Sequence, residues 1–434
     1  MTDHRKVDVA VFIHRMGVGG AEKATVNLLK GFVKRDLRVD LVVLWKEGIF
    51  LNHIPSKVRL INLDAPTNLY PYRWHRLLKF LWKRHLSSFD LDCLLKLNAI
   101  SAKIAFYFCG KPTMYPAWIN TMALRLANYL KENKPSALLA ILPDPNIIAL
   151  KARQFTRISF RLVISEHITP SVALQFSPRR QFIEQSIRTL YPKADVIVAV
   201  SQGVAEDLIQ NYGVPEEKVK VIFNPVVTEE LFDMALEDVS HPWFEQELSS
   251  VILAVGRLTK AKDYPTLFRA FSLVRQVRPA KLLILGEGED RANLERLAIE
   301  LGIQNDVSMP GFVDNPFAFM AKASVFVLSS AWEALPTVLI EALACGCPVV
   351  ATDCRSGPRE ILDNGRYGRL IPVGDHEALA KAILETLDNP DFPATKEERI
   401  QRALEFSLDA AVEKYLQVLL PERFGNTSRR QGNL

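Results

Sequence analysis

Short runs of aliphatic and β-branched residues alternate along the chain with longer stretches in which apolar residues recur at helical spacing. This alternation is typical of βαβ units that stack into parallel sheets, so we expect an α/β fold. In the first half, strands are predicted at residues 7–14, 39–44, 137–142, 162–166 and 196–200. Helices are predicted to start at Ala21, Thr121, Pro145 and Gly203.

A second series of the same units begins near Val251. Its predicted strands are 251–255, 281–285, a strand near 307, 325–328 and 349–352. Its predicted helices start at Tyr264 and Asp290 and cover 337–344, 376–387 and 407–419. Doubly wound sheets place their ligand crevices outside the carboxyl ends of their strands. Two such domains facing each other share a cleft, and we expect the chemistry there.

The domain boundary is predicted where prolines flank a stretch with little apolar periodicity, residues 225–242. The predicted organisation is a first domain 1–226, a linker 227–248, a second domain 249–404, a C-terminal helix 405–421 and a tail 422–434. We expect the C-terminal helix to pack back on the first domain and the polar tail to be flexible.

Length and composition limit the function classes. The 434 residues suit two domains. The net charge of +5 is too small to argue for a nucleic-acid partner. Five cysteines are too sparse for a disulfide framework, and a reducing cytoplasm fits. No segment reaches the roughly 18–20 apolar residues of a spanning helix. We therefore expect a soluble protein, or one on the inner face of the cytoplasmic membrane.

A glycine turn, residues 16–22, joins the first predicted strand to a helix. Its Gly17, Gly19 and Gly20 let the backbone approach a ligand, and the helix N-terminus attracts phosphate. A tight connection with no ligand is the alternative, and the turn alone does not decide between them.

The second half carries more specific candidates. Arg257 and Lys262 follow a strand and suit a diphosphate, with solvated surface charge as the alternative. Glu333 precedes a helix predicted at Thr337, and Glu341 lies eight residues after Glu333, within that helix. Backbone N–H groups at the helix start form an anion site between the two carboxylates. An ordinary surface helix explains the same residues.

Together these motifs resemble the retaining glycosyltransferases of family four, which share a GT-B-type fold of two Rossmann-like doubly wound domains facing across a cleft. The motifs that carry the resemblance are Gly19-Gly20-Ala21-Glu22, residues 199–204, Asn224-Pro225, Gly256-Arg257 with Lys262, Gly286-Glu287-Gly288, Gly311-Phe312, and Glu333 with Glu341. The resemblance covers nearly all of residues 256–373, is good over 7–43 and 161–225, and fails over about 66–127.

The resemblance implies the roles of individual residues. Arg257 and Lys262 would bind the diphosphate of a nucleotide sugar and stabilise it as a leaving group. Glu341 would hold the ribose hydroxyls, while Glu333 and His167 would lie beside the sugar. The remaining residues expected to contact the nucleotide sugar are Gly19, Gly20, Gly286, Gly311, Leu335, Pro336 and Thr337, where Pro336 has no N–H to give.

The resemblance also implies retention of configuration, with a phosphate oxygen accepting the acceptor's proton, and neither a metal nor another cofactor. The expected acceptor is a glycan or lipid-linked glycan in cell-surface polysaccharide or glycolipid synthesis. Alternatives are a sugar-nucleotide epimerase, an inverting transferase of the same architecture, and a non-catalytic nucleotide-sugar-binding protein. Asp90-Leu91-Asp92 would be the metal-binding alternative, and Cys345 with Cys347 is better explained as buried small side chains.

The poorly matching stretch is treated as an insert, residues 66–127. Its basic segment, residues 70–86, combines aromatics and leucines near helical spacing with several Arg and Lys and no acidic residue. This pattern is typical of a helix at an anionic membrane surface. A helical pair packed on the first domain, with its basic side in solvent, is the alternative.

Overall fold

The computed structural model describes residues 7–63, 115–175, 177–245 and 250–425, and within them the chain forms two parallel sheets. The first sheet has the order β3-β2-β1-β4-β5-β6-β7. Its strands are β1 Val9–Ile13, β2 Val39–Val43, β3 Arg59–Asn62, β4 Ala137–Ile141, β5 Arg161–Glu166, β6 Val196–Ala199 and β7 Val219–Val221. The second sheet has the order β10-β9-β8-β11-β12-β13. Its strands are β8 Ser250–Val255, β9 Ala280–Leu285, β10 Val307–Gly311, β11 Val325–Leu328, β12 Val349–Thr352 and β13 Arg369–Ile371.

Helices connect the strands and cover both faces of each sheet. Those of the first domain and the connection after it are α1 Gly20–Lys34, α2 Tyr115–Asn133, α3 Pro143–Gln154, α4 Pro170–Ala173, α5 Arg180–Leu190, α6 Gln202–Tyr212, α7 Glu229–Ala235 and α8 Pro242–Glu245. Those that follow are α9 Tyr264–Val277, α10 Arg291–Glu300, α11 Pro316–Lys322, α12 Thr337–Ala344, α13 Pro358–Ile361, α14 His376–Asp388, α15 Lys396–Leu404, α16 Leu408–Leu419 and α17 Pro421–Phe424. The predicted α/β class with two doubly wound sheets is confirmed.

The central strands are buried along their whole length. All five residues of each of the strands β1, β2 and β4 are buried, because helices cover both faces of a parallel sheet. Such strands appear in the sequence as continuous apolar runs, which is why they were predictable. The edge strands β3, β7 and β13 were not predicted, because they are three or four residues long and partly exposed.

Each sheet has one point where the order of its strands reverses. In the first sheet it lies between β1 and β4, and in the second between β8 and β11. Connections leave these neighbouring strands towards opposite faces of the sheet, so a crevice opens outside their carboxyl ends. The fold therefore provides one candidate ligand crevice in each domain.

The C-terminal helix α16 packs on the first domain. Val412 of this helix packs against Gly31 of α1. A Cβ added at Gly31 would lie 2.4 Å from a methyl carbon of Val412. Tyr415 is fully buried, and its hydroxyl is 3.1 Å from Ser165 Oγ at the end of β5. The chain thus returns to the first domain after completing the second.

Two predicted segments differ in their local structure. The helix expected from Thr121 begins at Tyr115, so the predicted insert overlaps α2 over residues 115–127. Trp118 of this helix is buried in the core, which fixes that part of the insert on the first domain. The rest of the insert, including the basic segment and Asp90-Leu91-Asp92, lies outside the described residues. Across the described ranges, the structure contains no helix long and apolar enough to cross a membrane.

Candidate active site

Two cations lie at the switch point of the second sheet. Arg257 follows β8 by two residues, and its side chain is exposed without an ion pair to any described residue. Lys262 ends a short 3-10 turn, Lys260–Lys262. Ser329 Oγ donates to the carbonyl oxygen of Lys262 at 2.7 Å, which ties this turn to the loop after β11. The ends of β8 and β11 thus position both predicted cations.

Glu333 lies beside one of these cations. Lys262 Nζ donates to Glu333 Oε1 at 2.5 Å, and Ser330 Oγ donates to the same oxygen at 2.7 Å. The Lys262 and Glu333 side chains are 18% and 15% exposed, so a molecule in the cleft can still reach them. Within the second domain, Ser356 N–H donates to the Glu333 carbonyl oxygen at 3.0 Å. Side chain and backbone of Glu333 are therefore both fixed.

Glu341 is paired with a residue of the other domain. Its side chain is 4% exposed, and Lys23 Nζ from α1 donates to its Oε1 at 2.7 Å. The same ammonium lies 4.4 Å from the centroid of the Phe317 ring. Sequence reasoning missed Lys23, because the pair joins positions 318 residues apart and no local pattern marks it.

Two helix N-termini meet at this place. Among the described residues, the backbone N–H groups of Leu335, Thr337 and Val338 donate no hydrogen bond. Across the cleft, α1 begins at Gly20, where an added Cβ would lie 3.3 Å from Thr337 Oγ1. Gly19 is the N-cap of α1. The positive ends of α1 and α12 therefore face one another and can share an anionic ligand.

His167 follows β5 and is held by a short chain of hydroxyl groups. Its Nε2 is 3.0 Å from Ser165 Oγ, which in turn contacts the Tyr415 hydroxyl. Its Nδ1 is buried and has no hydrogen-bond partner among the described residues. Burial lowers the pKa of His167 to about 3, so the ring is neutral at physiological pH. The unpaired nitrogen of a neutral ring can donate or accept one hydrogen bond, depending on the tautomer.

Glu166, next to His167, is a buried carboxyl that the sequence did not single out. Backbone N–H groups of His167 and Ile168 donate to its Oε1, and the Tyr191 hydroxyl donates to its Oε2 at 2.7 Å. Burial raises its pKa to about 7, although these hydrogen bonds oppose the rise. The carboxyl shapes the loop that presents His167.

The predicted glycines lie at the ends of β9 and β10. Gly286 has a φ of +151°, and a Cβ there would lie 2.0 Å from the carbonyl oxygen of Gly256. Gly311 has a φ of +98°, and its carbonyl oxygen accepts a hydrogen bond from Gly286 N–H at 2.8 Å. Both positions let backbone segments approach closely at the rim of the second-domain crevice.

Direct contacts join the two domains around the site. Thr169 Oγ1 donates to the Glu333 carbonyl oxygen at 3.0 Å. Glu360 of the second domain accepts from the N–H groups of Gln202 and Gly203 at 2.7 and 2.9 Å, and so caps α6 of the first domain. The structure therefore brings the predicted residues of both domains to one cleft.

The cysteines of the second domain are packing residues. Cys345 and Cys347 are buried free thiols, and burial raises the pKa of Cys347 to about 12. In the part of the chain that the structure describes, no three His, Cys, Asp or Glu side chains are grouped as metal ligands.

Two family models match the chain. "Glycosyl transferases group 1" matches residues 239–404, and "Glycosyltransferase Family 4" matches residues 99–230. The chain is 34% identical over 311 residues to an N-acetylgalactosamine-N,N'-diacetylbacillosaminyl-diphospho-undecaprenol 4-alpha-N-acetylgalactosaminyltransferase of Campylobacter jejuni, an alignment covering 69% of this chain and 83% of that protein. It is 25% identical over 346 residues to a lipopolysaccharide 1,6-galactosyltransferase of Salmonella typhimurium, covering 74% and 87% of the two chains.

Solved structures show the same fold at low sequence identity. Sucrose-phosphate synthase from Thermosynechococcus elongatus superposes with a TM-score of 0.72 at 18% identity, covering 97% of this chain and 100% of that one. HepE of Anabaena in complex with UDP-glucose superposes with a TM-score of 0.68 at 20% identity, covering 95% and 100%. These similarities confirm the GT-B-type arrangement of the two domains.

Proposed function

The chain belongs to the family 4 glycosyltransferases, and we propose that it is a retaining enzyme that transfers a sugar from a nucleotide diphosphate to a glycan acceptor. Membership rests on the similarity to the Campylobacter jejuni transferase over most of both chains. The glycosyltransferase activity follows from the family. The retaining course, the nucleotide sugar and the acceptor are the proposed parts.

One observation carries the proposal: cations, carboxylates and a helix N-terminus converge at the switch point of the second sheet. Lys262 and Arg257 supply positive charge for a diphosphate. The free N–H groups at the start of α12 lie beside them. Glu333 and Glu341 provide carboxylates that accept hydrogen bonds from hydroxyl groups. A nucleotide sugar presents diphosphate, sugar hydroxyls and ribose hydroxyls in this combination.

The chemistry follows from where charge develops. The bond between the sugar C1 and the diphosphate oxygen breaks, and its electron pair stays on the diphosphate. The acceptor oxygen bonds to C1 from the same face, and its proton passes to a diphosphate oxygen. Arg257, Lys262 and the N-terminus of α12 stabilise the negative charge that develops on the leaving diphosphate. Such electrostatic stabilisation is usually the largest single contribution to catalysis. His167, neutral and partly buried, would bind a hydroxyl of the transferred sugar.

For the acceptor, we propose a glycan or lipid-linked glycan used in cell-surface polysaccharide or glycolipid synthesis. Two relatives support this class: the Campylobacter jejuni enzyme acts on a diphospho-undecaprenol-linked sugar, and the Salmonella typhimurium enzyme is a lipopolysaccharide galactosyltransferase. To reach a lipid-linked acceptor, the enzyme would have to act at the cytoplasmic leaflet of the membrane. The basic segment of the insert is the proposed contact with anionic lipid.

The nucleotide sugar is identified by a thermal-shift screen of UDP-, GDP- and ADP-sugars. A nucleotide sugar at about 100 times its Kd stabilises the protein by ~2.7 kcal/mol, which gives a clear shift. Turnover of a radiolabelled hit separates an enzyme from a binding protein, because a protein that binds without hydrolysis or transfer supports the non-catalytic alternative. Conversion of the hit into an epimeric nucleotide sugar would support an epimerase instead.

The stereochemical course is tested by NMR of the product. Retention predicts that the new glycosidic bond has the anomeric configuration of the nucleotide sugar. The opposite configuration would contradict the retaining mechanism while leaving the nucleotide-sugar site intact.

The membrane proposal is tested by co-sedimentation with liposomes, with and without anionic lipid. Wild type should bind anionic liposomes at low salt, and a variant with Arg73, Arg76, Lys79 and Arg84 changed to Glu should not. Equal partitioning of the two proteins would contradict it and favour a soluble acceptor.

A further inference from the structure

The switch point of the first sheet carries a cluster of polar and aromatic side chains outside the residues proposed above to bind the nucleotide sugar. His14 is the first residue after β1, and Asp144 follows β4 at the start of α3. These are the neighbouring strands between which the strand order reverses. The first-domain crevice is therefore lined by a histidine and a carboxylate from adjacent strands, where this type of sheet binds ligands.

Asp144 is a buried carboxylate with several hydrogen-bond donors around it. Its side chain is 8% exposed, and His14 Nε2 and Arg179 Nη1 both lie 3.1 Å from its Oδ2. The Tyr115 hydroxyl donates to Oδ1. Burial acts to raise the pKa of Asp144, but His14, Arg179 and Tyr115 outweigh burial and leave the pKa below its ordinary value. The carboxylate is therefore ionised and can only accept hydrogen bonds.

This geometry fixes the orientation and the tautomer of His14. Because Asp144 only accepts, Nε2 of a neutral His14 carries the proton and Nδ1 carries a lone pair. The carbonyl oxygen of His14 accepts from the N–H groups of Leu44 and Trp45, both at 2.9 Å, and its ring stacks on Trp45 with centroids 5.8 Å apart. The side chain remains 21% exposed, and Nδ1 makes no hydrogen bond to a described residue.

We propose that His14 Nδ1 accepts a hydrogen bond from a hydroxyl group of the sugar acceptor, and that Asp144 is the positioning residue that holds it for this contact. The proposal rests on the proposed transferase function and assigns the acceptor subsite within it. Asp144 holds the proton on Nε2, and Arg179 balances the charge of that carboxylate, so the neutral ring presents at Nδ1 a lone pair that accepts a hydrogen bond from a hydroxyl group. The site is thus suited to the neutral, hydroxyl-rich part of an acceptor. His14 binds and orients the hydroxyl, whose proton still passes to the departing diphosphate.

Two substitutions separate this role from a purely structural one. In H14Q the glutamine amide can occupy the position of Nε2 and keep the hydrogen bond to Asp144. It provides no hydrogen-bond acceptor at the position of Nδ1. In H14N the amide occupies the position of Nδ1 and loses the contact with Asp144. We expect H14Q to raise the KM for the acceptor at least tenfold, and H14N to retain more activity than H14Q. A structural role predicts the reverse order, with H14Q close to wild type.

The experiment uses the full chain, UDP-hexoses as sugar donors and octyl glycosides of N-acetylgalactosamine, galactose and glucose as acceptor probes. Calorimetry measures UDP-hexose affinity, which should stay within about twofold of wild type in both variants. H53Q is the matched control, because His53 is an exposed histidine of the same domain that makes no hydrogen bond or ion pair with His14 or Asp144. Transfer by H14Q equal to wild type would overturn the proposal, as would equal losses of UDP-hexose and acceptor binding.

Failure of the proposed function gives a different result, because wild type would then bind no UDP-hexose. If wild type binds UDP-hexoses but no octyl glycoside in the presence of UDP, the acceptor subsite is wrong while the nucleotide-sugar site stands. An independent test is long-range 1H–15N NMR of the histidine rings. It should show the Nε2–H tautomer for the resonance that H14Q removes, and the Nδ1–H tautomer would contradict the inference.

Discussion

The two switch points have the same topology and opposite chemistry. In the second sheet, Arg257 is exposed and Lys262 pairs with a partly exposed Glu333. In the first sheet, the charged groups are Asp144, which is buried behind His14, and Arg179, whose guanidinium is paired with that carboxylate. The crevice of the second sheet therefore offers positive charge to the cleft, while that of the first sheet offers a histidine ring in front of a buried carboxylate.

In the proposed function, this difference divides the transfer reaction between the two domains. A diphosphate gains negative charge as it leaves, so its site needs accessible cations and free N–H groups. A sugar acceptor is neutral, and its hydroxyl needs orientation rather than charge. Because similar sheets provide both crevices, the residues that follow the strands determine which substrate each half binds.

The largest effect is expected from removing charge at the second switch point. Lys262→Ala and Glu341→Ala should each lower transfer about 100- to 1000-fold, because they remove contacts to the leaving group and the ribose. Lys260→Ala is the matched control, since Lys260 is an exposed residue of the same turn. Steady-state rates measure the effect, and thermal unfolding checks the fold. Near wild-type turnover of either variant would contradict the assignment of the site.

The sequence predicted the second crevice better than the first, for a physical reason. Arg257, Lys262, Glu333 and Glu341 belong to local motifs, and each follows or lies in an element that the apolar pattern predicts. The first crevice depends on pairs distant in sequence: His14 and Asp144 are 130 positions apart. No spacing rule connects such residues until the sheet order is known.

The same limit applies to the contacts between the domains. The sequence identified buried strands and their order of appearance, because continuous apolar runs mark them. It did not predict that Lys23 would reach Glu341 or that Glu360 would cap α6. These contacts depend on how the two domains are placed relative to each other, which neither secondary-structure propensity nor apolar periodicity determines.

A second prediction concerns Glu166, which is fully buried, unlike the partly exposed Glu333 of the second domain. Its pKa of about 7 lies above the ordinary value of 4.5, so its contribution to folding is complete below pH 4.5 and is lost as the pH rises through 7. Glu166→Gln should remove this dependence. The stability of the variant relative to wild type should therefore increase by about 3 kcal/mol between pH 4.5 and 7.

Denaturant unfolding of both proteins at several pH values measures this difference. The neighbouring His167 titrates in both proteins, so its contribution cancels in the comparison. Parallel stability curves for the variant and wild type would show that the pKa of Glu166 is the same in the folded and unfolded states, and would contradict this prediction.

A third, smaller effect is expected where the two halves meet. Lys23 and Glu341 form an ion pair across the cleft, with the carboxylate buried and the lysine one-third exposed. A double-mutant cycle with Lys23→Met and Glu341→Gln should give a coupling of about 1–2 kcal/mol without nucleotide, less than for a fully buried pair. A saturating nucleotide sugar should reduce the coupling, because ribose hydroxyls would replace the lysine. Unchanged coupling would place the ribose elsewhere.

The smallest effect is expected from removing metal ions, and it tests whether protein cations suffice at the second switch point. In the proposed site, Arg257, Lys262 and the free N–H groups at the start of α12 would contact the departing diphosphate. Because these groups can neutralise the departing charge, transfer in excess EDTA should stay within about twofold of the untreated rate. Lys262→Ala should not be rescued by Mn²⁺ or Mg²⁺. Loss of wild-type activity in EDTA, restored by either ion, would contradict this expectation. It would favour the metal-binding alternative at Asp90 and Asp92, which lie outside the described residues.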